Sequence, residues 1–309
     1  MASNTVAPIP RLIYGTAWKK AQTAPLVVSA LSAGFRGLDT AASHHYYEEG
    51  VGAGLRTWLT QNPKTISRSS LYIQTKFSPA PSELPIPDQV HEQVASSFKR
   101  LSVSKSLFKE TAAESASESA DAAKEPATGD DEFYLDCVLL HSPFREHEDT
   151  LLAWRALESY VPHRIRTIGI SNVDLEELQA LCKDAAVKPV VVQNRLNPKE
   201  AYNTPVRVFC RERGINFQSF WTLTANPGIV KSEMVGGIAA AVGVSNEVAM
   251  YGLVLGLGGV SVLDGTTNES RMKGDLEGVK KVTAWAAGEG SALWEQSLQA
   301  FKLILGETK

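Results

Sequence analysis

The chain reads as an α/β protein of the (β/α)8 TIM-barrel class. Three observations carry this expectation: strand-like runs alternate with helix-like runs along the chain, eight strand candidates can be counted, and the 309 residues suit one large barrel domain. The strand candidates are RLIYGTA, FRGLDTA, LYIQTKF, LDCVLLHS, RTIGISN, VVVQNRL, NFQSFWTL and VSVLDGTT, each short and rich in β-branched, Leu or aromatic residues. Between them, DQVHEQVASSFKRL, DTLLAWRALESYV and DLEELQALCKDA repeat apolar residues at helical spacing, with Asp149 and Asp174 as expected N-caps. A doubly wound open sheet would place a Gly-x-Gly-x-x-Gly loop after its first strand, and none stands there. GLGGV, from Gly256, precedes a strand and reads as a helix-ending turn. The whole chain, 1–309, is expected to form a single domain.

One segment departs from this rhythm. Residues 104–132, SKSLFKETAAESASESADAAKEPATGDDE, are rich in Ala, Ser and acids and offer little to bury, so a disordered, mobile insertion is expected between the third helix and the fourth strand. Helix-to-strand loops of a barrel lie on the face opposite the active site, so the insertion should be dispensable for chemistry.

The net charge of −3 and pI near 6.1 argue against nucleic acid as the main partner. Cys137, Cys182 and Cys210 form no Cys-x-x-Cys pair, which predicts neither a disulfide framework nor a cysteine zinc site. The N-terminus lacks the pattern of a signal peptide, and no run is long and apolar enough to cross a bilayer. A cytoplasmic monomer that engages neither nucleic acid nor membrane is the expectation.

Catalytic groups of a barrel collect at the C-terminal ends of its strands. Asp39 closes the second strand candidate, Lys76 the third and His141 the fourth, with Tyr46 and Tyr47 in the loop after the second. A tyrosine hydroxyl can protonate a carbonyl oxygen, but its ordinary pKa of about 10 makes it a sluggish acid. A lysine ammonium lowers that pKa, an aspartate serves as the lysine's counter-ion, and a histidine orients the carbonyl. Such a site protonates an oxygen while a hydride reaches the carbon. The structural alternatives are a core ion pair, a satisfied core histidine and a loop aromatic. His44 and His45 lack a matched third ligand and read as loop residues, so no metal is expected. Glu48 and Glu49 suit the first turn of a helix.

The segments GTAW, GFRGLDTA, YYEEGVG, TKF, LLHSP, IGISN, VVQNR, FWTLTANP and GTTNESRM, in this order, resemble the aldo-keto reductase family over nearly the whole chain. The resemblance implies a (β/α)8 fold, a nicotinamide hydride donor, and an Asp39, Tyr46, Lys76 and His141 tetrad. The spacing in HYYEEGVG selects Tyr46 as proton donor, with Tyr47 the alternative if the loop shifts by one residue. The resemblance further implies that Ser171, Asn172 and Gln193 bind the nicotinamide carboxamide, that Trp221 stacks on the ring, and that Thr222, Leu223 and Thr224 line the pyrophosphate. Thr266, Arg271 and Asp275 fall in the adenosine clamp, with Arg271 toward a 2′-phosphate and Asp275 toward adenine. Gly265 stands where many members carry a second cation. NADPH is therefore the expected cofactor, with NADH the alternative. The expected activity is NAD(P)H-dependent reduction of small aldehydes or ketones, and the alternative is an NADPH-binding, redox-sensing barrel with little turnover. Trp18 and Tyr47 are expected to wall the substrate pocket. In that family the C-terminal tail helps shape the pocket; here the tail after the last cofactor motif reads largely as helix, leaving little chain to fold over the mouth, so a relatively open pocket is expected.

Overall fold

A computed structural model describes residues 8–110 and 133–307. Eight parallel strands close into a barrel in sequence order: β1 Leu12–Gly15, β2 Gly37–Asp39, β3 Tyr72–Phe77, β4 Leu135–Leu140, β5 Ile165–Ser171, β6 Val191–Arg195, β7 Asn216–Phe220 and β8 Val260–Asp264. β8 returns to β1, pairing Asp264 with Tyr14. All eight strand candidates are present, seven of them shorter than the run that predicted them, while β5 keeps seven residues and starts one residue earlier, at Ile165.

The helices that follow are α1 Thr23–Ala33, α2 Glu48–Gln61, α3 Ile86–Leu101, α4 His147–Glu158, α5 Leu175–Asp184, α6 Thr204–Glu212, the short α7 Pro227–Val230, α8 Glu233–Val242, α9 Asn246–Gly256, α10 Glu269–Ala286 and α11 Ser291–Ile304. Asp174 caps α5 in a reciprocal capping box, accepting from the Glu177 amide while Glu177 accepts from its own. Asp149 does not cap α4. The helix starts two residues earlier, Glu146 holds the N-cap position, and Asp149 lies in the first turn, where its charge faces the helix dipole. Gly258 and Gly259 after α9 both adopt positive φ (79° and 65°), as a helix-ending turn requires.

The main core lies between the barrel wall and the helices, while Ile13, Tyr72, Cys137, Leu139 and Val191 pack as a small cluster of their own. The strands approach closely at Gly169, where a Cβ would meet the Val191 carbonyl oxygen at 2.3 Å. The expected insertion does fall between α3 and β4. Its start is not featureless, however: Ser104 caps a 3-10 turn at Lys105–Leu107, and Phe108 buries its ring in the core. Leu107 also packs against the core, and backbone hydrogen bonds from Lys64 N–H to the Leu107 carbonyl and from Lys109 N–H to the Ile66 carbonyl hold those residues down. Residues 111–132 of the segment lie outside the described residues. No single helix among the described residues is long and apolar enough to cross a membrane.

Candidate active site

A cleft of about 870 Å³ opens at the C-terminal ends of the strands. Asp39, Tyr46 and His141 line it, and Lys76 lies beneath. The structure thus brings the four expected catalytic residues together from β2, β3, the end of β4 and the loop before α2.

The Lys76 ammonium is fully buried and donates to both Asp39 carboxylate oxygens at 2.7 Å and to the Thr40 carbonyl at 2.9 Å. Burial pulls the lysine's pKa down, but the Asp39 carboxylate and the Tyr46 oxygen more than offset it, so Lys76 stays charged. Asp39 Oδ1 also accepts from Gln74 at 2.7 Å and Gln193 at 3.0 Å. These amides join Gln218, whose Oε1 accepts from both at 2.7 and 2.9 Å. A polar layer therefore floors the site within the barrel, and it satisfies the carboxylate that the lysine alone would leave under-coordinated.

The Lys76 ammonium lies 4.8 Å from the centre of the Tyr46 ring, and the His141 ring centre lies 6.1 Å from it. Lys76 lowers the Tyr46 pKa as expected, but burial outweighs it. Burial raises it, Lys76 lowers it, Asp39 raises it again, and the net direction is upward. The lysine's charge is largely spent on its own counter-ion. The phenol is thus held protonated, loaded as an acid, with a cation nearby for the phenolate it becomes.

Burial and the nearby Lys76 charge push the His141 imidazole down to about 4. It is neutral at pH 7, with Nδ1 hydrogen-bonded to Ser78 Oγ at 2.7 Å. Nε2 is the nitrogen left for a ligand.

The loop carrying Tyr46 is pinned at both ends. Trp18 N–H donates to the His45 carbonyl at 2.7 Å. Glu48 opens α2 as expected, but its side chain is buried. It accepts from Thr75 at 2.5 Å and Ser97 at 2.8 Å and pairs with Arg100 at 3.2 Å. This anchors the loop to β3 and α3. Tyr47 is the correction here: it is exposed, lies outside the cleft lining, and covers Gly50, where an added Cβ would meet its ring at 2.5 Å. One residue of chain turns the two tyrosines to opposite sides. Trp18 does line the cleft, 63% exposed and packed at a tilt against His45, with 3.9 Å between ring centres.

Ser171, Asn172, Gln193, Trp221, Thr222, Leu223, Thr224, Thr266, Arg271 and Asp275 all line the same cleft. Trp221 stands 52% exposed in a left-handed conformation (φ 57°). Asn172, also left-handed, donates to the His141 carbonyl at 2.8 Å. The Gln193 side-chain nitrogen is committed to Asp39 and Gln218, which leaves only its oxygen to accept from a ligand. Thr222 Oγ1 is paired with Ser219 Oγ at 2.6 Å.

Sequence reasoning missed several cleft residues. Arg195, at the end of β6, donates to Asn172 Oδ1 at 3.1 Å and lies 5.0 Å from the Trp221 ring centre. Lys19 reaches the Gly265 carbonyl, so an ammonium stands beside Gly265. Asp264, Tyr251 and Glu247 complete the far wall. Arg195 and Asp264 are terminal residues of β6 and β8, and Lys19 lies just beyond β1. The strand-end rule that selected Asp39 and Lys76 would have flagged all three.

The lining fits a long, flat, phosphorylated ligand. It offers an exposed aromatic face at Trp221, hydrogen-bonding Asn172 and Gln193 beside the tyrosine, and the cations Lys19 and Arg271 at the other end. Such a cleft lies at the C-terminal mouth of the (β/α)8 barrel, where the active sites of this fold collect, and holds a Tyr–Lys–Asp–His cluster. The sequence profile of the Aldo/keto reductase family matches residues 11–239, and the chain belongs to that family. It is 30% identical over 215 residues to a glyoxal reductase of Bacillus subtilis, covering 69% of this chain and 62% of that protein. It is 31% identical over 217 residues to a glycerol 2-dehydrogenase (NADP(+)) of Hypocrea jecorina, covering 69% and 64%. The chain thus matches less than two thirds of the length of either relative. A Bombyx mori aldo-keto reductase solved in complex with NADP superposes with a TM-score of 0.65 at 20% identity, over 90% of this chain and 89% of the other.

Proposed function

We propose that the protein reduces small aldehydes or ketones to alcohols with NADPH. The observation that carries this reading is the placement of Tyr46 on the cleft wall, above a buried Lys76–Asp39 pair and beside a neutral His141. Ser171, Asn172 and Gln193 would hold the nicotinamide carboxamide, and Trp221 the ring face. Thr222, Leu223 and Thr224 would line the pyrophosphate, and Thr266, Arg271 and Asp275 the adenosine end. When bound, the cofactor supplies a hydride to the carbonyl carbon.

The remaining chemistry belongs to the chain. The His141 Nε2 is the nitrogen that orients the substrate oxygen, and a neutral ring does so without competing for the proton. The Tyr46 hydroxyl gives its proton to that oxygen as negative charge develops there. The phenolate left behind is stabilised by the Lys76 ammonium, and Asp39 with its glutamines keeps that ammonium in place. Proton transfer from a positioned side chain contributes about 10²- to 10⁴-fold.

The names of the relatives above point to small, oxygen-rich substrates. The test is to mix the protein with NADPH and a panel of small aldehydes, glyoxal among them, and to follow loss of the reduced cofactor. Turnover supports the reading. NADPH binding with no turnover on any aldehyde or ketone would favour the redox-sensing alternative.

A further inference from the structure

One charge at the catalytic end of the cleft plays no part in the proton transfer. Asp39 and Lys76 form a buried pair, and the Tyr46 hydroxyl and the His141 ring are neutral at pH 7. Asp264, Asp275 and Glu247 stand with Lys19 and Arg271 at the far end. The remaining charged group of the lining is Arg195, the last residue of β6, with 34% of its side chain exposed.

The backbone of Arg195 is firmly held. Asn203 donates to its carbonyl oxygen at 2.8 Å and accepts in turn from Asn194 at 2.9 Å. Three successive residues of that loop, Ala201, Tyr202 and Asn203, adopt left-handed φ of 46°, 55° and 53°. Such backbone costs free energy and persists only where its surroundings enforce it. The side chain spends one nitrogen on its neighbours: Nη1 donates to Asn172 Oδ1 at 3.1 Å and to Glu200 Oε1 at 3.4 Å. Glu200 is 40% exposed and outside the cleft lining, so water screens that contact. Nε and Nη2 make no hydrogen bond among the described residues. Together they form one edge of the guanidinium fork, the arrangement that takes a carboxylate through two parallel bonds.

The guanidinium neighbours both the proposed nicotinamide face and the histidine that orients the carbonyl. Its carbon lies 5.0 Å from the Trp221 ring centre. Asn172 ties it to the end of β4, accepting from Arg195 while donating to the His141 carbonyl at 2.8 Å. Its charge reaches the His141 ring, adding to the burial and the Lys76 charge that keep the imidazole neutral. Resting on the carbonyl-reductase reading, we propose that Arg195 is a specificity-determining residue and that the favoured substrates are oxo acids, carbonyl compounds that carry a carboxylate. The carboxylate takes the Nε–Nη2 edge of Arg195 while the carbonyl oxygen meets Tyr46 and His141. A neutral carbonyl compound of the same length leaves that edge to water.

The test compares matched pairs, 4-oxobutanoate with butanal and 2-oxobutanoate with butanone, by steady-state loss of NADPH on the full chain. A fluorescence titration with NADPH accompanies each protein. The wild type should favour the oxo acid in kcat/KM in at least one pair. In that pair Arg195→Met should lower the ratio of oxo acid to neutral compound by about tenfold or more, chiefly through KM, as loss of a charge-assisted pair implies. Arg195→Lys, which keeps the charge but not the fork, should restore part of the ratio. Turnover of the neutral compounds with no preference in either pair would overturn the inference and leave the reductase reading standing. So would a ratio unchanged in Arg195→Met. Equal losses on both compounds would then mark a residue that acts only through Asn172, and a loss of NADPH affinity alone would mark a cofactor contact. Absence of turnover on all four compounds would overturn the reductase reading and this inference with it.

Discussion

The Lys76 ammonium sits 2.7 Å from both carboxylate oxygens of Asp39, with neither side chain more than 1% exposed. Each half of this pair is tolerable only because of the other. Removing one partner from a buried ion pair typically costs about 3–5 kcal/mol, because the remaining charge is stranded. Asp39→Leu should therefore lower unfolding stability by roughly that amount, and chemical denaturation would show it. Lys76→Met should cost less, since Gln74 and Gln193 still donate to the carboxylate.

His141 gives a pH signature. Its folded pKa, about 4, lies below the ordinary value of 6.5. As pH falls through this window the unfolded chain takes up the proton first, so His141 makes stability fall with falling pH between about 6.5 and 4. The denaturation midpoint of the wild type should fall more steeply across that range than that of His141→Gln. The activity profile should likewise show no acid limb near 6.5 from His141. Identical slopes in the two proteins would mean that the imidazole is not held neutral.

Gly169 tests the barrel itself. A Cβ there would lie 2.3 Å from the Val191 carbonyl and 2.7 Å from a Leu139 methyl. Backbone cannot step aside as a side-chain tip can, so Gly169→Ala should destabilise by about 1–3 kcal/mol. Because β5 ends at Ser171 and β6 carries Gln193, the same change should weaken cofactor binding. Thermal denaturation and a fluorescence titration would report the two effects.

Arg271 is the exposed cation at the proposed adenosine end. Arg271→Ala should weaken NADPH by about tenfold or more and NADH far less, as loss of a charge-assisted phosphate contact implies. Equal losses for both cofactors in a binding titration would rule out a 2′-phosphate role.

Much of this was legible in the sequence because barrels confine function to strand ends. Asp39 and Lys76 stand at the ends of apolar runs, and the residue before a turn can be counted. Arg195 and Asp264 obey the same rule, but a charged residue closing a strand also reads as a solvated edge, so they passed unnoticed. Gln74 and Gln218 were hidden for the opposite reason. They lie inside strands whose pattern is apolar, and only the pairing of Asp39 with Gln74, and of Gln193 with Gln218, shows that they form one layer. The raised pKa of Tyr46 depends on how burial, Lys76 and Asp39 balance, and spacing along the chain carries no such balance. Tyr46 and Tyr47 are adjacent in sequence, and the fold alone separates one into the cleft and the other onto Gly50.

The central claim is that Tyr46 delivers the proton. The most direct measurement compares Tyr46→Phe and Tyr47→Phe for NADPH affinity and for turnover of a small aldehyde. The account predicts that Tyr46→Phe binds NADPH within about twofold of wild type yet loses at least about 10²-fold in turnover, as removal of a general acid implies. Tyr47→Phe should stay near wild type in both. Retained turnover in Tyr46→Phe, with the loss appearing in Tyr47→Phe instead, would contradict it.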